Sequence, residues 1–339
     1  MYIQDVDLKL KDWDFKMRKY LPYEVKLSLS ETRIIDFNRM YPTYVSFSGG
    51  LDSTVLLHMV REYLGADIPA VFCDTGLEFP ELKSFVARAD QIYGNVITVK
   101  PKMSFVEVLQ KYGYPFPSKE VAQSIRKLRH GNLCDRYRNY LLNGDERGKI
   151  GMIPKRWQYL KDASVEVSEK CCDIMKKQPF AQYEKETDRK PFIGITQDES
   201  FRRERQYART GCNVFDGKHP QSKPLGFWTK QDILRYVKEN NLEYCSVYGE
   251  INKIDDEHYY NTGEARTGCM FCLFGVHMEQ HPNRIQRLAE THPQIYDYIM
   301  RGGKYDENGI LRPDKGLGYQ KLQDAFGLDL EPFEQTTLL

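Results

Sequence analysis

Tyr44-Val-Ser-Phe-Ser-Gly-Gly-Leu-Asp-Ser-Thr-Val-Leu-Leu-His58 is a short β-rich run that breaks into two glycines, an aspartate and a serine, then turns at once into an apolar helix. A strand entering Ser-Gly-Gly-x-Asp-Ser and leaving as a helix places the backbone N–H groups of Ser48 to Ser53 at a positive helix N-terminus. The glycines there let the chain approach an anion closely. The expectation is a phosphate cradle, against the plainer reading of a glycine turn followed by a helix capped by Asp52 or Ser53. The loop has neither the lysine of a Walker A motif nor the spacing of a dinucleotide fingerprint.

Outward from this stretch, strand candidates at Tyr44 to Phe47, Ala70 to Cys73 and Asn95 to Val99 alternate with helical apolar spacing at Thr54 to Tyr63 and Pro80 to Tyr93. A further strand at Pro191 to Ile195 and a helix at Lys230 to Asn240 read as the far half of the same sheet. The predicted fold is α/β, a doubly wound, mostly parallel sheet with a helical insertion and a helical C-terminal extension. The predicted organisation is a helical lead-in over residues 1–40, a domain over 41–275 carrying a polar helical insertion at about 114–185, and an extension over 276–339. Apolar positions Val25, Ile34, Ile35 and Phe37 mark the lead-in, with Pro42 as its stop. Helices are expected in the extension at Asn283 to Leu288, Gln294 to Met300 and Tyr319 to Phe326, with a Gly-rich loop from Arg301 to Gly309.

The 339 residues, 41% of them hydrophobic, can bury a sizeable core. No run reaches the roughly 20 apolar residues of a membrane span, and the first residues are too charged for a signal peptide. A cytoplasmic protein without a membrane partner is expected, its eight cysteines reduced and available for metal, catalysis or burial. Net charge is only +1, yet Lys119 to Lys161 carries eleven Lys or Arg against four Asp or Glu, with Tyr137, Tyr140, Trp157 and Tyr159 interleaved. Such a segment suits the phosphates and bases of tRNA or DNA, or else is a solvated helical hairpin.

A second motif, Phe72-Cys-Asp-Thr-Gly-Leu-Glu-Phe-Pro-Glu81, follows the second strand, where Asp74 and Thr75 would reach a nucleotide resting on Ser48 to Ser53. Together the two motifs resemble the PP-loop superfamily of adenine nucleotide α-hydrolases and, within it, the phosphoadenylyl sulfate (PAPS) and adenylyl sulfate (APS) reductase family, over roughly residues 40 to 275. Gly194-Ile-Thr-Gln-Asp-Glu-Ser-Phe-Arg-Arg203 is similar to the family's G-x-R-x-x-E-S-x-x-R, with Thr196 or Gln197 where an arginine is expected. Lys223-Pro-Leu-Gly-Phe-Trp228 is similar to its K-x-x-P-L-x-x-W segment. The resemblance implies that ATP or an APS-type nucleotide contacts Ser46, Ser48, Gly49, Gly50, Asp52, Ser53, Asp74, Thr75, Gly194, Glu199, Ser200 and Arg203. It further implies catalytic roles for Asp52, Lys176 and Arg203, and Mg²⁺ neutralising the leaving pyrophosphate.

Cys171-Cys172 and the distant Cys269-x-x-Cys272 offer four thiolates, a complement for a [4Fe-4S] cluster or for tetrahedral zinc. The arrangement resembles iron–sulfur APS reductases, which carry C-C-x-x-R-K-x-x-P ahead of a C-x-x-C; Lys176 matches the family lysine and Met175 replaces its arginine. The resemblance therefore implies an iron–sulfur cluster. Cys73, Cys134, Cys212 and Cys245 are expected to be small buried residues, with Cys212 a candidate sulfur carrier.

A sulfonucleotide reductase requires a C-terminal cysteine as nucleophile, and this sequence has none after Cys272. The expected reaction is thus the superfamily's adenylation. Ser48 to Ser53 would hold pyrophosphate, Asp74 would assist metal or ribose, and Arg203 with Lys176 would stabilise developing charge. A sulfur nucleophile, supplied by a donor protein, would then displace the adenylate on a nucleic acid. Reduction of APS or PAPS to sulfite, and a non-catalytic sensor, stand as alternatives.

Overall fold

The computed structural model describes residue 14 and residues 17–148, 150–255, 258–300 and 316–332. The start of the expected lead-in, the loop from Arg301 to Gly309 and the end of the chain from residue 333 lie outside the described residues. In chain order the elements are α1 (Tyr23–Met40), β1 (Thr43–Phe47), α2 (Leu51–Leu64), β2 (Ala70–Cys73), α3 (Pro80–Tyr93) and β3 (Val96–Val99), then α4 (Phe105–Tyr112), α5 (Lys119–His130) and α6 (Asp135–Asn143). They continue with α7 (Gln178–Thr187), β4 (Lys190–Ile193), α8 (Phe201–Thr210), β5 (Asn213–Val214), β6 (Gln221–Ser222), α9 (Lys230–Glu239), β7 (Ile251–Lys253) and β8 (Tyr259–Asn261). The last helices are α10 (Arg284–Thr291), α11 (Pro293–Met300) and α12 (Tyr319–Phe326). Among the described residues no helix is long and apolar enough to cross a membrane.

The chain divides into two compact units. The first comprises residues up to Asp74, Glu78–Lys100 and Pro179–Thr267, and holds a six-stranded sheet of order β3-β2-β1-β4-β6-β5. Every pairing is parallel except β5 with β6. The fold is therefore the α/β, mostly parallel sheet that strand–helix alternation implies. Val45, Val71 and Phe192 are fully buried, as strands covered on both faces require. β1 pairs with β2 on one side and β4 on the other, so strand order reverses at β1, and the crevice at its carboxyl end is the ligand position of such sheets.

α1 buries Ile34 and Phe37 completely, whereas Val25 faces solvent. Tyr23 and Lys26 take the buried positions in its first turn. Lys26 is tolerated there because its Nζ lies 2.6 Å from an Asp232 carboxylate oxygen on α9.

The second unit comprises Thr75–Leu77, Pro101–Gln178 and the residues from Gly268 onward. It is helical, with one isolated parallel bridge between Tyr114 and Val167. Phe116 is stacked on Phe326 with ring centroids 4.3 Å apart, and Trp157 and His277 stand edge-on to it at 5.1 and 5.7 Å. Residues of the insertion and of the C-terminal segment thus share one aromatic core.

Candidate functional site

In the first unit, β1 ends at Phe47 and the chain turns through Gly49 at φ +73° into an extended Gly50, which caps α2 without any side-chain hydrogen bond. The positive φ favours glycine at position 49, and a methyl group there would also press against Leu82 and Val86 at 3.0 Å. The loop is braced from within. Ser53 Oγ accepts from Ser48 N at 3.2 Å, donates to Gly50 O at 2.9 Å and lies 2.9 Å from Ser48 Oγ. At the neighbouring strand, a Cβ on Gly194 would lie 2.8 Å from Asp52 O and 2.9 Å from Ser53 Cα. Glycine there lets the end of β4 press directly on the first turn of α2, the close backbone packing that a loop shaped for an anion needs.

Asp52 sits in that first turn. Burial pushes its carboxyl up from the ordinary value of 3.8 to about 7, and the Glu199 carboxylate pushes the same way against Arg266 and Lys230. Below about pH 7 it is neutral and able to donate to an anion; above it, it repels one. Affinity for inorganic pyrophosphate is therefore expected to fall as pH rises through 7, more steeply in the wild type than in Asp52→Asn, as paired calorimetric titrations would measure. Linkage fixes the stability sign: folding is favoured below 3.8 and that advantage is lost as pH climbs to about 7. Asp52→Asn should therefore gain stability relative to the wild type across that window.

Around the loop, Asp74 at the end of β2 faces Lys83 Nζ at 3.0 Å and Lys100 Nζ at 3.9 Å. Ser46 lies on β1 itself, level with Val71 and Ile193. Ser200 caps α8 by accepting from Arg203 N. Glu199 receives Arg266 Nη2 at 3.1 Å and has Arg203 Nε at 3.1 Å from its other oxygen. Thr196, Gln197, Arg203, Tyr207, Lys223 and Gly226 line a partly open recess of about 200 Å³. Lys223 is only 4% exposed, and neither its Nζ nor Gln197 Oε1 has a hydrogen-bond partner among the described residues. Burial, with Arg203 adding to it, pushes the Lys223 ammonium below its ordinary range. A buried cation beside a guanidinium is electrostatically costly unless an anion pairs with it.

The four cysteines of the paired motifs come together in the second unit. Cys171, Cys172, Cys269 and Cys272 line one recess of about 320 Å³, partly open, with Leu77, Phe105, Pro115, Met175, Lys176 and Phe271. Cys171 and Cys172 Sγ atoms are 4.0 Å apart. The turn at Cys269 is closed by Cys272 N donating to Cys269 O at 3.1 Å, and Met270 N donates to Leu77 O at 2.9 Å. The hydrogen bond from Cys171 lowers the Cys172 thiol to about 6, helped by the Lys119 and Lys176 charges, whereas Cys171 is driven up as the donor of that bond and by burial. Burial and the neighbouring Cys269 raise Cys272 to about 11. Among the described residues no three Cys, His, Asp or Glu side chains stand as close as one metal ion requires. The four thiols share a recess whose other walls are largely apolar, with the Lys119 and Lys176 charges near Cys172. Thr75, 6% exposed, belongs to this second unit, and its Oγ1 accepts from Leu77 N at 3.3 Å. Lys176 also belongs here, with the cysteines.

Of the basic segment, Arg126 is committed to Glu169 at 2.6 Å and Arg129 to Glu166 at 2.8 Å. Trp157 is core. Arg136, Arg138, Arg147, Lys155 and Arg156 are exposed, and the half-buried Tyr137 and Tyr140 stack with centroids 6.2 Å apart and planes 19° from parallel. Cys73, Cys212 and Cys245 are buried and Cys134 is exposed.

Tyr248, at the loop, carries no motif signal. Tyr248 Oη accepts from Leu51 N at 3.4 Å and shares a 2.7 Å hydrogen bond with Thr267 Oγ1. Arg266 and Thr267 could be found only through Arg-Thr-Gly-Cys, where the cysteine draws the attention.

The sequence profile of the phosphoadenosine phosphosulfate reductase domain matches residues 42–147 and 145–272. Two uncharacterized proteins of Methanocaldococcus jannaschii are similar: MJ0066, 28% identical over 77% of this chain and 45% of its own length, and MJ0973, 26% identical over 81% and 51%. The chain thus spans about half the length of these relatives. Similar solved structures include a PAPS reductase from Candida auris in a phosphate complex, 16% identical with a TM-score of 0.38 over 68% of this chain and 90% of that one. Another is an FMN adenylyltransferase from Candida glabrata, 14% identical with a TM-score of 0.38 over 67% and 58%. With the domain profile covering well over half of its residues, the chain belongs to the phosphoadenosine phosphosulfate reductase domain family.

Proposed function

We propose that the protein is an ATP-using, adenylating sulfurtransferase that releases pyrophosphate and thiolates a nucleic acid. The observation that carries this reading is the buried Lys223 ammonium, without a hydrogen-bond partner among the described residues and beside Arg203, in the same unit as a glycine loop opening onto the N-terminus of α2. Cations and an oriented helix end supply what a polyphosphate needs: fixed positive charge that requires no reorganisation when pyrophosphate departs. An oxygen of the acceptor attacks the α-phosphorus, the bond to the bridging oxygen breaks, and pyrophosphate leaves on the loop. A sulfur nucleophile then displaces AMP from the adenylated position. Ser48 and Ser53 hold the loop's shape, a protonated Asp52 donates to the phosphoryl oxygens, and Arg203 with Lys223 binds the charge. Mg²⁺ enters with ATP as part of the substrate, because Asp74 is already neutralised by Lys83.

Cys171, Cys172, Cys269 and Cys272 would hold a [4Fe-4S] cluster, whose chemistry is to carry sulfur or electrons in a water-poor cavity. The exposed cations near stacked Tyr137 and Tyr140 support a nucleic-acid acceptor, since they offer phosphate neutralisation and a base-stacking surface together. The test is anaerobic purification followed by separate incubation with ATP, APS and PAPS. Pyrophosphate and AMP from ATP are expected, together with RNA or DNA binding that weakens as salt increases. Sulfite from APS or PAPS without pyrophosphate from ATP would overturn the reading in favour of a reductase, and binding without turnover would overturn it in favour of a sensor.

A further inference from the structure

We propose that Tyr248 binds a phosphoryl oxygen at the glycine-loop site, with Thr267 as the residue that positions its hydroxyl. The proposal rests on the nucleotide reading above. Leu51 N–H is the first donor of α2, one of the groups a helix N-terminus leaves for an anion. It is met by Tyr248 Oη at 3.4 Å, a long bond to a neutral acceptor. A shorter, charge-assisted bond to a phosphoryl oxygen would replace it at a gain. Gly50 lies close beneath the pair: a Cβ there would stand 3.1 Å from Tyr248 Oη and 3.2 Å from Thr267 Oγ1.

The hydroxyls are fixed from behind. Tyr248 is 4% exposed, its carbonyl accepts from Gly263 N at 2.9 Å and Asn261 Nδ2 at 3.0 Å, and Gly249 turns at φ +65° against Thr262. The β7–β8 hairpin therefore anchors the residue that reaches the loop. Thr267 and Arg266 act as neighbours on one strand of chain: one bonds Tyr248, the other holds Glu199. On filling, Leu51 N–H and the Tyr248 hydroxyl both turn to the ligand, and Thr267 remains as the second support of Tyr248.

The test uses the full chain, with Tyr248→Phe, Thr267→Val and Thr267→Ser titrated calorimetrically against inorganic pyrophosphate, ATP and adenosine. Tyr248→Phe and Thr267→Val are expected to weaken pyrophosphate and ATP by roughly tenfold to a hundredfold while leaving adenosine affinity unchanged, and Thr267→Ser to match the wild type. Unchanged pyrophosphate affinity in folded Tyr248→Phe would overturn the proposal and leave the nucleotide reading standing. An equal loss for adenosine would also overturn it, by making the role structural. A wild type that binds neither pyrophosphate nor ATP would overturn both. Should Tyr248→Phe fail to fold, the Thr267→Val and Thr267→Ser pair decides alone.

Discussion

Lys223→Met is expected to raise the melting temperature of the ligand-free protein by a few degrees and to weaken pyrophosphate and ATP binding about 100-fold. Methionine keeps the length of the side chain and removes the charge. In the empty site that charge is a cost, because the ammonium is buried with no hydrogen-bond partner among the described residues and Arg203 stands beside it. Removing it should stabilise the fold, at about 2–4 °C per kcal/mol for a unit of this size. With an anion bound, the same charge would be paired, and truncating a buried charged partner costs about 2–5 kcal/mol of binding. The pH dependence follows from the lowered ammonium: its folded form loses the proton below the ordinary value of 10.5, so the wild type recovers stability as pH rises toward 10.5 and the advantage of the methionine variant should shrink. Thermal unfolding with and without pyrophosphate, across pH, measures all three. A variant that melts lower and binds pyrophosphate normally would make Lys223 a structural residue.

Cys171→Ser and Cys272→Ser, purified without oxygen, should each lose the brown colour, the iron and the acid-labile sulfide expected of the wild type. The four sulfurs lie around a recess whose other walls are largely apolar, so a serine oxygen substituted there removes a thiolate ligand that no nearby residue replaces. Because such a group binds only the folded arrangement of its ligands, its loss should also lower the melting temperature of the second unit. Colour, iron and sulfide content are read without any turnover, so the result is independent of which reaction the protein performs. Colourless wild type with one zinc per chain would replace the cluster by zinc, and wild type with neither metal would remove the cofactor altogether.

The strand–turn–helix of Tyr44 to His58 is legible because its causes are local. Glycine at a left-handed φ, near-continuous burial along the five residues of β1 and apolar spacing along α2 all act within a few positions of the chain, and the same holds for β2, α3 and α9. The cysteine motifs are legible for the same reason, since two pairs of adjacent or near-adjacent thiols announce themselves without a fold. Boundaries shift by a residue or two where caps decide them: the helix read from Thr54 begins at Leu51, because Gly50 already supplies the cap.

Other features are set by groups distant in sequence. Charge counting gives eleven cations between Lys119 and Lys161, but Arg126 and Arg129 are spent on Glu169 and Glu166, and Trp157 on the aromatic core, because each meets a partner the local sequence does not name. Val25 yields its buried place to Lys26, which is neutralised from 206 residues away. Tyr248 reaches Leu51 across 197 residues.

By itself the sequence determined the parallel sheet, the glycine loop at its reversal point and the paired cysteines that the fold brings to one recess, since backbone freedom, apolar period and residue identity belong to the residues themselves. Only the tertiary structure decided that Lys223 lies buried with no hydrogen-bond partner for its Nζ among the described residues, that Asp52 holds its proton to about pH 7 and that residues 101–178 join the chain from Gly268 onward in one unit. Burial and charge pairing are properties of neighbours in space, and no window of sequence contains them.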